Sequence, residues 1–163
     1  MSASTQNVLR TDAAKRPLEL SLHFMLQEFT RSDTATRKGL SNIPDQDALR
    51  NLFKVAQLLE QVRSLLGNKV IHVSSGYRSP EVNAAVGGSK NSDHLLGLAA
   101  DFTCPRYGTP LEICRAIQKS NIVFGQLIWE GSWVHISVGT KRQVLTAKFS
   151  PGKKTQYLAG LVP

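Results

Sequence analysis

The sequence predicts an α+β fold, a small and mostly antiparallel sheet packed with N-terminal helices. Two observations carry this. Residues 45–66 repeat apolar side chains every three or four positions, the period of an amphipathic helix. Beyond that stretch, short β-branched and apolar runs alternate with Gly, Ser and Pro, which punctuate strands and turns.

Taken in order, residues 1–20 are polar and expected to be loosely ordered, leaving one domain over 21–163. LSLHFMLQEFTRSDTA (20–35) holds a short helical turn around Leu26–Phe29. Pro44 suits the start of the long helix, and Leu49, Leu52, Phe53, Ala56, Leu59, Val62 and Leu66 form its stripe, most simply a core face. Gly67-Asn68 ends it. Val70, Ile71 and Val73 mark a strand over 69–75, and Ser79-Pro80-Glu81 reads as a cap with proline at the first helical position, opening a helix to about Val86. LAADFTC (98–104) reads as a buried strand, and Thr109-Pro110 opens a helix over 110–119. QLIWE (126–130) and WVHISV (133–138) are two strands joined tightly by Gly131-Ser132, and a third near Arg142–Ala147 extends their sheet.

A chain of 163 residues can bury a core without disulfides. Cys104 and Cys114 make neither a disulfide framework nor a zinc cluster, and are read as free structural thiols suited to a reducing compartment. No N-terminal apolar region suggests a signal peptide, and no run approaches a membrane span. The net charge of +8 favours a polyanionic partner, such as nucleic acid, an acidic membrane surface or an anionic cell wall. Finger spacings, RNA-binding aromatic signatures and basic heptad leaders are all missing, so no nucleic-acid partner is expected.

The chemistry concentrates in GGSKNSDHLLGLAADF (87–102). His94 sits in a Gly/Ser-rich loop, and Asp101 follows between Ala100 and Phe102, where a carboxylate is costly to bury without compensation. With His135 on a later strand, two imidazoles and one carboxylate make a three-ligand zinc set with a fourth position open to water. Such a set suits amide hydrolysis. The alternative is a surface His94 and an Asp101 paired to an arginine. His72 and His23 are read as structural.

The separated motifs Ser75-Gly76-Tyr77-Arg78-Ser79, Ser92-Asp93-His94, Asp101 and Trp133-Val134-His135 together resemble the zinc D-Ala-D-Ala peptidase family of the cell wall, which shares its fold with lysostaphin-type peptidases and the hedgehog domain. HFMLQEFTRSDTATRKGLSNIP (23–44) is similar to that family's phage and prophage branch. The resemblance implies that His94, Asp101 and His135 bind one Zn²⁺. It implies that Arg78 holds the substrate carboxylate or the developing oxyanion. Ser92, Tyr77 and Trp133 would line the substrate cleft. Glu130 is the candidate general base, with Asp93 as rival base or as a carboxylate orienting an imidazole. Better-known members often carry the acid three residues before the last histidine, where this chain has Ser132; Glu130 lies five before. Along one regular strand an odd offset points two side chains to opposite faces, and Gly131-Ser132 would have to break that regularity.

The expected activity is hydrolysis of amide bonds, D-Ala-containing ones by resemblance, in peptidoglycan stems or crosslinks. The expected setting is phage lysis by a monomer accumulating in the host cytoplasm and released by a holin. The rival expectation is a non-hydrolytic binding module or phage-tail structural module that keeps the zinc fold.

Overall fold

In a computed structural model, residues 17–163 are described. The expectation for residues 1–20 falls mostly on residues 1–16, outside the described residues. The helices are α1 (Leu26–Thr30), α2 (Asp33–Lys38), α3 (Gln46–Leu65), α4 (Pro80–Ala85) and α5 (Pro110–Lys119), with a 3₁₀ turn at Asp93–Leu96. The strands are β1 (His72–Ser75), β2 (Ala99–Thr103), β3 (Gln126–Trp129), β4 (Val134–Ser137), β5 (Gln143–Lys148) and β6 (Gln156–Ala159). They form one sheet in the order β1-β2-β4-β3-β5-β6. Four of the five pairings are antiparallel, as expected; β3 and β5 run parallel, so the sheet is mixed.

Helix α3 is fixed at its start by Asp45, whose side chain accepts the Ala48 N–H at 2.8 Å. Its buried face is Leu52, Val55, Ala56, Leu58, Leu59 and Val62. Phe53, assigned to the stripe from spacing, is 38% exposed. At 100° per residue it follows Leu52 round the helix and leaves the core face, while Val55 and Leu58 enter it. Helix α5 carries a capping box, in which the Thr109 side chain accepts from the Glu112 N–H and Glu112 reaches back to the Thr109 N–H.

Two elements escape the periodicity argument. Helix α2 is too short and polar to show a stripe; it is specified by its ends, with Ser32 accepting the Ala35 N–H and Gly39 left-handed at φ 62°. Strand β6 is exposed along its length and is defined by pairing with β5.

The sheet separates the core from the remaining chemistry. Ala100, Phe102, Val134, Ile136 and Leu127 alternate onto the face that joins α3 and α5 in the core. The intervening residues Asp101, His135 and Ile128 take the other face and line a cavity of about 950 Å³. Cys104 and Cys114 are buried and unpaired, and burial pushes the Cys114 thiol up to about 12.

Candidate metal centre

Asp101 on β2 and His135 on β4 are register partners, so their side chains emerge side by side. His94 reaches them from the 3₁₀ turn. Ser92 starts that turn by accepting the His94 N–H, and Gly97 ends it in a left-handed conformation at φ 67°. Side chains are constrained there too, because a Cβ on Gly97 would stand 2.6 Å from the Ala48 carbonyl oxygen of α3.

The Ser75–Ser79 turn locks this loop in place. The Gly76 carbonyl accepts from His94 Nδ1 at 2.6 Å, and the Arg78 N–H donates to the His94 carbonyl at 3.0 Å. Gly76 must be glycine for packing, since a Cβ would meet the Phe29 backbone at 2.6–2.7 Å. A register shift between Val73 and Ser75 then sets Ser75 opposite Asp101. Ser75 Oγ accepts from Arg78 Nε at 3.2 Å, and Arg78 donates to Asp101 Oδ2 at 3.3 Å.

Among the described residues, His94, Asp101 and His135 form the one cluster of three metal-ligating side chains, their candidate donor atoms all within 4.8 Å of one another. They are 2%, 6% and 6% exposed. Burial works against the Asp101 charge, yet the imidazoles of His94 and His135 hold its carboxyl well below the usual range.

The hydrogen-bond inventory fits a cation. The Gly76 carbonyl places a proton on His94 Nδ1, so in the neutral ring the Nε2 lone pair faces Asp101 Oδ1 at 3.2 Å. His135 Nδ1 lies 2.9 Å from the same oxygen, while its buried Nε2 has no partner among the described residues. Two imidazole nitrogens converging on one buried carboxylate oxygen suit a metal ion, which replaces the protons between them when it binds. With two imidazoles and a carboxylate as donors, the set suits zinc and leaves a coordination position open. The alternative pairing of Asp101 with an arginine is also present, through Arg78, but it takes the other carboxylate oxygen.

Glu130, Asp93, Ser92, Tyr77 and Trp133 line the same cavity. The offset of Glu130 from His135 is resolved by the hairpin. Ile128 is the register partner of His135, and Glu130 lies two residues beyond it, back on the same face. The turn tightens at Gly131 (φ 74°), where the Ser132 N–H donates to the Glu130 carbonyl. Burial and the neighbouring Asp101 charge push the Glu130 carboxyl above its ordinary value; His135 and the Trp133 indole work the other way. That indole N–H is buried without a hydrogen bond of standard geometry, so its effect on Glu130 is that of proximity. The side chain of Asp93 makes no hydrogen bond to a triad residue. Tyr77 is buried and also contacts the core.

His72 is exposed on β1, and His23 pairs with Glu60 at 2.9 Å on the surface, so neither reaches the triad. Sequence reasoning missed Tyr157 on β6, which lines the cavity from the sheet's far edge. The signal lay in strand register, which composition does not reveal.

Residues 22–137 match the model of the family described as Peptidase M15. A stretch of 83 residues is 46% identical to the zinc D-Ala-D-Ala carboxypeptidase of Streptomyces albus G, covering 50% of this chain and 31% of that protein. The chain thus spans about a third of the length of that relative.

Proposed function

The chain belongs to the peptidase M15 family, and we propose that it is a zinc-dependent peptidase hydrolysing amide bonds in the peptides of peptidoglycan. The observation that carries this is the buried His94–Asp101–His135 cluster in one cavity with Glu130 and Arg78. The name of the S. albus relative supports D-Ala-containing bonds as targets.

His94, Asp101 and His135 would hold the zinc ion, which when bound polarises a carbonyl and makes water a better nucleophile. Glu130 takes a proton from the attacking water at its carboxylate and returns it to the amine nitrogen as the C–N bond breaks. Its raised proton affinity suits both halves of that transfer. Arg78, steadied by Ser75, Asn83 and Asp101, turns its guanidinium edge to the substrate carboxylate or developing oxyanion. Ser92, Tyr77 and Trp133 shape the cleft. Asp93 is the second candidate for the base.

A lytic role in a phage or prophage is supported by the resemblance of residues 23–44 and by the net charge of +8, which suits an anionic wall. Among the described residues no helix is long and apolar enough to cross a membrane.

Mass spectrometry of products from defined peptidoglycan tests the reading and identifies the scissile bond. Glu130→Gln should lower kcat by about 10²–10⁴-fold with zinc retained. Wild-type turnover by that variant, with loss in Asp93→Asn, moves the base to Asp93. Zinc retained by the wild type without any product supports the binding-module reading instead.

A further inference from the structure

We propose that Tyr157 is a substrate-contacting residue, whose hydroxyl donates a hydrogen bond to a backbone carbonyl of the bound peptide from the β6 edge of the sheet. This rests on the peptidase reading and extends it to a part of the chain beyond residue 137, where the family match ends.

The placement follows from register. The Glu130 N–H donates to the Trp133 carbonyl, making these two residues partners at the hairpin end. Trp129 pairs with Thr146 in the parallel β3–β5 ladder, so the next rung sets Glu130 beside Ala147. Ala147 pairs with Tyr157. One row therefore runs Trp133, Glu130, Ala147, Tyr157 across four strand positions. Two strand spacings, about 10 Å, separate Glu130 from Tyr157 at the backbone. Within this row Ala147, with only a methyl side chain, is the residue between them, and both Glu130 and Tyr157 line the cavity.

The chemistry fits a donor. Among the described residues, the Tyr157 hydroxyl has no hydrogen-bond partner of its own, so it is free for a ligand. Burial, Glu130 and Asp101 all oppose loss of its proton, with Arg78 acting in the other direction. A phenol kept protonated beside carboxylates suits a peptide carbonyl, an acceptor whose nearest alternatives in this cavity are anionic. Arg78 follows β1 and Tyr157 sits on β6, at opposite edges of the sheet. A peptide lying across the triad is thus held from both ends.

The test uses the zinc-loaded chain and a peptide ending in D-Ala-D-Ala, with calorimetry for binding and released D-alanine for turnover. Tyr157→Phe should raise Kd and KM by about three- to tenfold, the range expected for one neutral hydrogen bond, with kcat nearly unchanged. Zinc content and thermal midpoint should match the wild type, because Tyr157 is 54% exposed. Tyr157→Ala should lose little more than Tyr157→Phe. A Tyr157→Phe protein with wild-type Kd overturns the assignment, since the ring alone then suffices. Wild-type binding without cleavage of this peptide or of purified peptidoglycan overturns the peptidase reading while Kd still judges Tyr157. No measurable wild-type binding of this peptide overturns the Tyr157 assignment, and no product from purified peptidoglycan in the same preparation overturns the peptidase reading as well.

Discussion

Asp101 carries two jobs on two oxygens. Oδ1 faces both imidazoles and Oδ2 takes the Arg78 guanidinium, so Arg78 orients the carboxylate as well as facing the cavity. Removing that partner frees the carboxylate to rotate and lowers its fitness as a ligand. Arg78→Ala should weaken zinc affinity by roughly 10–100-fold, as the loss of a partner behind a metal ligand commonly does. A competitive zinc titration checks this, and unchanged affinity confines Arg78 to the substrate. At this scale much was legible, because His94, Asp101 and His135 are costly or distinctive in their local sequence. A contact between Asp101 and an arginine emerged only as one of two alternatives, and Arg78 was not singled out for it. Tyr157 was invisible, because its link to Glu130 passes through two intervening strand pairings.

The elements that aim these residues are held by particular close approaches. Gly76 abuts Phe29 and offers its carbonyl to His94, so Gly76→Ala should both destabilise the fold and weaken zinc binding. Chemical unfolding and zinc titration read the two losses, and retention of both would show that the turn can yield. On the far side of α3, Glu60 gathers the Ser21 hydroxyl, the His23 N–H and His23 Nδ1, tying the entering chain to the helix. Partial burial opposes its charge, but these contacts hold its carboxyl below the ordinary value. A depressed folded pKa adds stability above the unfolded pKa, and that increment disappears as pH falls through the folded pKa. Glu60→Gln should therefore be less stable than the wild type near neutral pH, with the difference vanishing in acid. Helices α3 and α5 were legible from period and caps, which act locally. Helix α2 and strand β6 were not, since both owe their definition to their ends or their neighbour.

Over the whole molecule, one sheet gives its inner face to the core and its outer face to the candidate site, so metal binding and folding are linked. Zinc that binds only the folded chain should raise stability by about 2.7 kcal/mol at a hundred times its Kd, and a chelator should reverse the gain. His94→Ala should show no such shift in thermal denaturation. The alternation that separates these two faces was readable in LAADFTC and WVHISV; the parallel β3–β5 pairing was not, because no local pattern specifies it. The measurement that bears most directly on the whole account is the release of new amino groups from purified peptidoglycan, with zinc content determined on the same samples. The account predicts one zinc ion per chain, activity abolished by chelation and restored by zinc, and neither zinc nor activity in His94→Ala. Full activity in a verified metal-free sample would contradict it.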